Sequence, residues 1–280
     1  MEKISNHFGA IIKVNKTELQ EKLFYNKIIE YIGEYHLLLI KDLDLSVKEF
    51  LKFSENLGEV IPHDILKYRH PKYEMLSYVT NVDENGNLDE FGSKIRASDW
   101  HTDGSFRKIP YSYTILYSLN APSKGGNTEF NNMVQSYKEL NDKIKSKIST
   151  LTGFHKRGEG WKSINPPPPL SQSQKSSGLF EGNSHPLVIK NPISRKDSLY
   201  INPSHLNIIN NLSKEDSNNL LDDLSNNTIK EKFQYSHKWS EKDLIIWDQR
   251  DLLHRASPIK VIKEKRTMIR SMILNKPHRI

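Results

Sequence analysis

The stretch "SDWHTDGSF" (residues 98–106) sets His101 and Asp103 two positions apart, directly after Trp100 and before Gly104. If the chain is extended here, side chains at i and i+2 leave one face of it, and an imidazole and a carboxylate can reach a single ion. A hydrogen-bonded pair at a strand end gives the same pattern, so the reading depends on what surrounds it. A third donor stands in "WDQRDLLHRASP" (247–258), where His254 follows the apolar run "DLIIWD" (243–248). Two imidazoles and one carboxylate on one face of an octahedron leave three coordination positions open, the arrangement used by non-haem Fe(II) oxygenases.

Outward from that stretch, the pattern is mostly strand. "YSYTILYSLNA" (111–121) alternates as a strand does, "KGGNTEF" (124–130) is a tight turn feeding another, and "FQYSHKW", "DLIIWD" and "RTMIRSMIL" continue the series toward residue 274. "FGAIIKV" (8–14) and "HLLLIKDL" (36–43) predict earlier strands. Helical spacing marks 18–35, a helix over 46–58 with Ser46 as its N-cap, one over 136–151, and one over 213–226. The segment 156–183 departs from this, with "INPPPPLSQSQKSSGLFEGN" (164–183) combining a proline run with small polar residues. Because strand-like text resumes after it, it is expected to be a flexible lid loop within one domain spanning 1–280. Strands outnumbering helices after residue 98 predict a mainly β, α+β fold: an antiparallel barrel or jelly roll with helical additions.

Composition narrows the function. The 280 residues carry a net charge of +7, but Lys and Arg are interleaved with Asp and Glu except in "KVIKEKR" (260–266), which argues against a nucleic-acid-binding stripe. No cysteine is present, which excludes disulfides and thiolate metal sites. The N-terminus lacks a long apolar segment and no run of eighteen apolar residues occurs, so a cytoplasmic protein without a membrane partner is expected. Homo-oligomerisation is left open.

Taken together, "GAIIKV", "HLLLIKDLDLSVKEFLKFSENLGEV", "WHTDGSF", "YSYTILYSLNAPSKGGNTEFNNM", "HPLVIKN", "SLYINPSHL" and "DLIIWDQRDLLHRA" resemble the taurine and dichlorophenoxyacetate dioxygenase (TauD/TfdA) family almost end to end. The resemblance implies a double-stranded β-helix (jelly-roll) core and an Fe(II)/2-oxoglutarate-dependent oxygenase that uses O2 and releases succinate and CO2. It implies His101, Asp103 and His254 as iron ligands, with Arg266 and Thr128 holding the C5 carboxylate of 2-oxoglutarate. A guanidinium suits that task, since its planar fork meets a carboxylate in two hydrogen bonds. Arg270 and His63 match the family's positions for an anionic group of the primary substrate.

The expected substrate is a small anionic or amino-acid-like molecule, hydroxylated at an unactivated C–H, in secondary-metabolite biosynthesis. The alternatives are a scavenging dioxygenase for sulfonates or aryloxy acids, desaturation or cyclisation after the same hydrogen abstraction, and a non-catalytic binding module. Asp103 leaves no ligand vacancy for chloride, which disfavours halogenation.

Overall fold

Two strands, Leu37–Ile40, apolar at every position, and Leu244–Asp248, apolar through Trp247, lie side by side in an antiparallel pair with Leu244 opposite Ile40 and Trp247 opposite Leu37. A strand alternates polar and apolar when one face meets water, and becomes uniformly apolar when both faces are covered. Both faces are covered here. Leu38, Ile40, Leu244 and Ile246 pack outward against Tyr25, Ile28, Ile32, Phe50 and Phe53 of two helices, Lys22–Tyr35 and Val47–Glu55. Leu37, Leu39, Ile245 and Trp247 pack inward with Phe130 and Leu252 from the facing sheet.

These residues are described in a computed structural model covering 1–5, 8–83, 85–89, 97–164, 170–257 and 264–275. The main sheet runs in the order Glu2–Lys3, Ala10–Ile12, Leu37–Ile40, Leu244–Asp248, Tyr113–Asn120, Thr267–Leu274 and Glu59–Ile61, with Ser77–Thr80 also paired to Thr267–Leu274. Only the pair between Ala10–Ile12 and Leu37–Ile40 is parallel within it. Facing it are Gln234–His237, Thr128–Asn132 and Leu252–Ala256, with a second triplet of Leu206–Ile209, Thr152–His155 and Asn183–Pro186, and the hairpin pair Val188–Lys190 and Asp197–Leu199. The core is a jelly roll with helical additions, as the sequence predicts. Helix Lys214–Thr228 closes the outside of the second face through Leu220, Leu221 and Leu224, which pack on Leu206 and Ile209.

Local sequence explains where the elements begin. Ser46 accepts from the Glu49 N–H while the Glu49 carboxylate accepts from the Ser46 N–H at 2.8 Å, a reciprocal cap for the helix Val47–Glu55. The single helix expected over 136–151 is instead two, Met133–Lys138 and Asp142–Ile148. Asn132 and Asn141 each accept from the N–H three residues on, at 2.9 Å, and an asparagine that caps a new helix interrupts the old one. The described parts of 156–183 make defined contacts. Residues 156–162 hydrogen-bond to the backbone of 203–206, and Ser171 caps a short helix, Gln172–Ser176. The proline run lies outside the described residues. No helix among the described residues is long and apolar enough to cross a membrane.

Ile246 is fully buried between the helices and the sheet. Ile246→Ala should therefore destabilise the fold by about 2–5 kcal/mol, the range for emptying a branched aliphatic site in a core. Urea unfolding monitored by circular dichroism checks this.

Candidate active site

His101 and His254 meet through their backbones. The His101 N–H donates to the His254 carbonyl at 3.0 Å and the His254 N–H to the His101 carbonyl at 2.8 Å, so the rings stand 4.2 Å apart. His254 sits at the centre of its own strand, Leu252–Ala256, on the inward face it shares with Leu252. His101 makes only an isolated bridge to it, so the extended pair imagined for His101 and Asp103 is not a strand. After Thr102 the chain turns. Gly104 adopts φ +69°, and a Cβ there would lie 2.6 Å from the Tyr111 ring, so the turn needs glycine. All three side chains still reach one point: Asp103 lies 3.8 Å from His101 Nε2 and 3.9 Å from His254 Nε2, and one donor atom from each falls within 4.8 Å of the others.

Each ring is oriented differently. His101 Nδ1 donates to the Asp99 carbonyl at 2.8 Å, which leaves the Nε2 lone pair for a metal. His254 is held by packing, with Trp247 at 4.9 Å and Phe130 at 6.4 Å between ring centroids. Burial, with His101 beside it, draws the His254 pKa down to about 3, so the ring is neutral and able to ligate. Burial alone would raise the Asp103 pKa. Arg270, His254, His101 and His63 outweigh it and hold the carboxyl well below its usual range. Two imidazoles and an ionised carboxylate are the donor set that suits Fe(II).

Asp103 is placed by a residue that the motif does not announce. The Gln249 side chain accepts from the Asp103 N–H at 3.0 Å through Oε1 and donates to Asp103 Oδ2 at 3.2 Å through Nε2. Gln249 also binds the hydroxyls of Thr102 and Thr114. It can do so because the turn from Asp248 to Asp251 is fixed underneath. Arg250 clamps Asp248 in two bonds of 2.8 and 2.6 Å, Asn191 donates to both Asp248 and Asp251, and His36 bonds Asp251 at 2.7 Å. Asn202 does similar work on the other side, donating to the Thr102 carbonyl and the Ser105 hydroxyl. Nothing in the spacing of these residues marks them; their polar side chains in apolar surroundings are the only sign.

The other residues singled out in the sequence fall into two groups. Arg270 shares the inward face of Thr267–Leu274 with Met268, and its guanidinium is 3.6 Å from Asp103. His63 lines the same cavity of about 160 Å³ as Arg270 and Asp103. Arg266 lies apart from that cavity, its Nε donating to the Gly126 carbonyl at 2.9 Å and its backbone N–H to Asn81 at 2.7 Å. Burial pulls the Arg266 pKa down to about 10, and none of the described carboxylates offsets it. Gly126 (φ +70°) must be glycine for this approach, since a Cβ would meet Arg266 Cδ at 3.0 Å. Thr128, two residues on, faces inward and accepts from Trp239 Nε1 at 3.0 Å.

Gln249→Leu keeps the volume and removes every bond to Asp103. Loss of such an outer partner typically costs tenfold to a hundredfold in metal affinity. We expect that loss for Fe(II) or Mn(II), read by calorimetric titration, with the far-ultraviolet circular dichroism spectrum unchanged.

Known proteins are similar to this chain over most of its length. Pentalenolactone F synthase from Streptomyces arenae is 28% identical over 265 residues, covering 88% of this chain and 85% of its own. The (S)-phenoxypropionate/alpha-ketoglutarate-dioxygenase of Sphingobium herbicidovorans is 26% identical over 281 residues, covering 96% and 93%. The crystal structure of AAD-2 in complex with Mn(II) and N-oxalylglycine superposes with a TM-score of 0.80 at 25% identity, covering 97% of each chain. The model of the taurine catabolism dioxygenase TauD, TfdA family matches residues 1–272. With His101, Asp103 and His254 gathered at one point, the chain belongs to that family and is an Fe(II)- and 2-oxoglutarate-dependent dioxygenase.

Proposed function

We propose that the protein hydroxylates an unactivated C–H bond of a small anionic molecule. The observation that carries this reading is the placement of Arg270, 3.6 Å from a metal-ligand carboxylate and inside the cavity that His63 also lines. A guanidinium there holds an acidic group of the substrate at a fixed distance from the metal, which orients one C–H toward it. His63 adds a neutral donor. Its Nδ1 lies 2.9 Å from the Ile65 N and 3.2 Å from the Ile65 carbonyl, and burial followed by Arg270 draws its pKa down to about 3.

Arg266 and Thr128 serve 2-oxoglutarate in this reading. A buried guanidinium whose charge is offset by no described carboxylate suits the C5 carboxylate of the cosubstrate, with the Thr128 hydroxyl beside it. Bound iron and 2-oxoglutarate supply O2 activation and hydrogen abstraction. The chain's own residues contribute three coordination positions, two anion anchors and the cavity beside them. The described part of 156–183 covers the cavity: Gln174 Nε2 donates to the Asp64 carbonyl at 2.9 Å and Asn183 Nδ2 to the Phe106 carbonyl at 2.8 Å. We read it as the site's lid.

Similarity to a pentalenolactone F synthase supports a tailoring role in secondary metabolism. Similarity to a phenoxypropionate dioxygenase supports the second reading, a scavenger of aryloxy acids. Both share the acidic anchor.

Three variants test the assignment. Asp103→Ala should abolish substrate-triggered succinate release even where iron is retained; wild-type release from that variant overturns Asp103 as the ligand. Arg266→Leu removes the partner of a buried carboxylate, a loss of about 2–5 kcal/mol, or roughly thirtyfold to several-thousandfold in apparent 2-oxoglutarate affinity. Arg270→Leu should leave the 2-oxoglutarate KM within a few fold while raising the primary-substrate KM.

A further inference from the structure

The cavity beside the metal ligands holds a second guanidinium. Arg157 lines it together with Arg270, and the two come from different parts of the fold. Arg270 rises from the strand Thr267–Leu274, whereas Arg157 follows the strand Thr152–His155 and belongs to the covering segment. The Arg157 guanidinium lies 5.5 Å from the ring centroid of Phe180, also in that segment. Phe180 in turn stacks on Phe106, which lines the cavity, at 5.7 Å.

The remaining polar lining is rich in donors. Gly158 donates to His205 Nδ1 at 3.1 Å, so the His205 proton sits on Nε2. Tyr111 is 2% exposed, and its hydroxyl finds no hydrogen-bond partner among the described residues. Such a buried hydroxyl is unfavourable unless something bonds it. Acceptors are scarce by comparison. Among the described residues the lining carboxylates are Asp64 and Asp103, and Asp103 is a metal ligand. Asp64 pairs with Arg107 at 2.8 Å while also acting on Arg157, so one carboxylate is shared by two guanidiniums. Once Asp103 and 2-oxoglutarate have met the charges of the metal and Arg266, the lining carries an excess of positive charge.

Resting on the anionic-substrate reading above, we propose that Arg157 is a second substrate anchor and that the substrate carries two acidic groups. One group is held by Arg270 and the other by Arg157, with Tyr111 Oη and His205 Nε2 as donors along the span. The cavity of about 160 Å³ limits the molecule to a small one, since it equals the share of roughly five waters at ~30 Å³ each. Arg157 thereby selects between substrates with one acidic group and those with two.

Binding of defined probes to the full chain tests this without turnover. The protein is loaded with Mn(II) and 2-oxoglutarate, which keeps acidic probes out of the cosubstrate's place. It is then titrated calorimetrically with terminal disulfonates of methane, ethane, propane and butane, each beside its monosulfonate. At one chain length the disulfonate should bind at least tenfold tighter than its monosulfonate. Arg157→Gln should erase that advantage while leaving monosulfonate affinity within twofold and 2-oxoglutarate affinity unchanged. Monosulfonates that bind with no gain from a second sulfonate overturn the role of Arg157 and leave that of Arg270 standing. Equal losses for both probes in Arg157→Gln also overturn it, since they mark a structural role. If neither probe binds the wild type, the acidic-anchor reading of Arg270 falls and the second anchor with it.

Discussion

Two backbone hydrogen bonds between His101 and His254 tie the middle of the chain to a strand near its end, and the site depends on that tie. Side chains alone could not hold two imidazoles so close. The backbone pairing fixes where both Cβ atoms start, and the rings then need only small adjustments, one by a hydrogen bond to Asp99 and the other by Trp247 and Phe130. Rigid elements position ligands more precisely than loops do. Asp103, which lies just beyond the paired segment, needs the separate hold that Gln249 supplies.

That hold reaches far. Gln249 is steady because Asp248 and Asp251 are pinned by Arg250, Asn191 and His36, and His36 caps the helix Lys22–Tyr35 in a left-handed conformation, at φ 65°. The helix end, the turn and the ligand carboxylate thus form one buried polar network. Such networks rigidify a core, and here Asp251 Oδ1 is the one buried carboxylate oxygen of the network without a partner among the described residues. A substitution at the N-terminal helix can therefore disturb a metal ligand in the middle of the chain through contacts that never touch the metal.

Much of this was legible in the residues. The uniformly apolar "HLLLI" and "DLIIW" stated that both faces of their strands are covered, and the helices that cover one face carried their own 3.6-residue spacing. The metal triad was legible because its donor types are rare together and the flanking motifs resemble one family. Three things were not. The break between Lys138 and Asp142 turns on which asparagine caps, a local competition that apolar spacing does not register. Gln249, Asn191 and Asn202 look like any surface amide until burial is known. Arg157 sits in a segment with no periodic pattern, so only the folded chain brings it beside Arg270.

The distance along the chain between the paired histidines has a consequence for synthesis. A protein made from its N-terminus exposes Trp100, His101 and the strand Tyr113–Asn120 long before their partners leave the ribosome. Tyr113–Asn120 must wait for Leu244–Asp248 on one side and Thr267–Leu274 on the other. Contacts so remote in sequence make folding slow and leave sheet edges open in the meantime. The three metal donors therefore cannot meet before Leu252–Ala256 has been made, and the nascent chain's need for protection is greatest while the central strands stand without their neighbours.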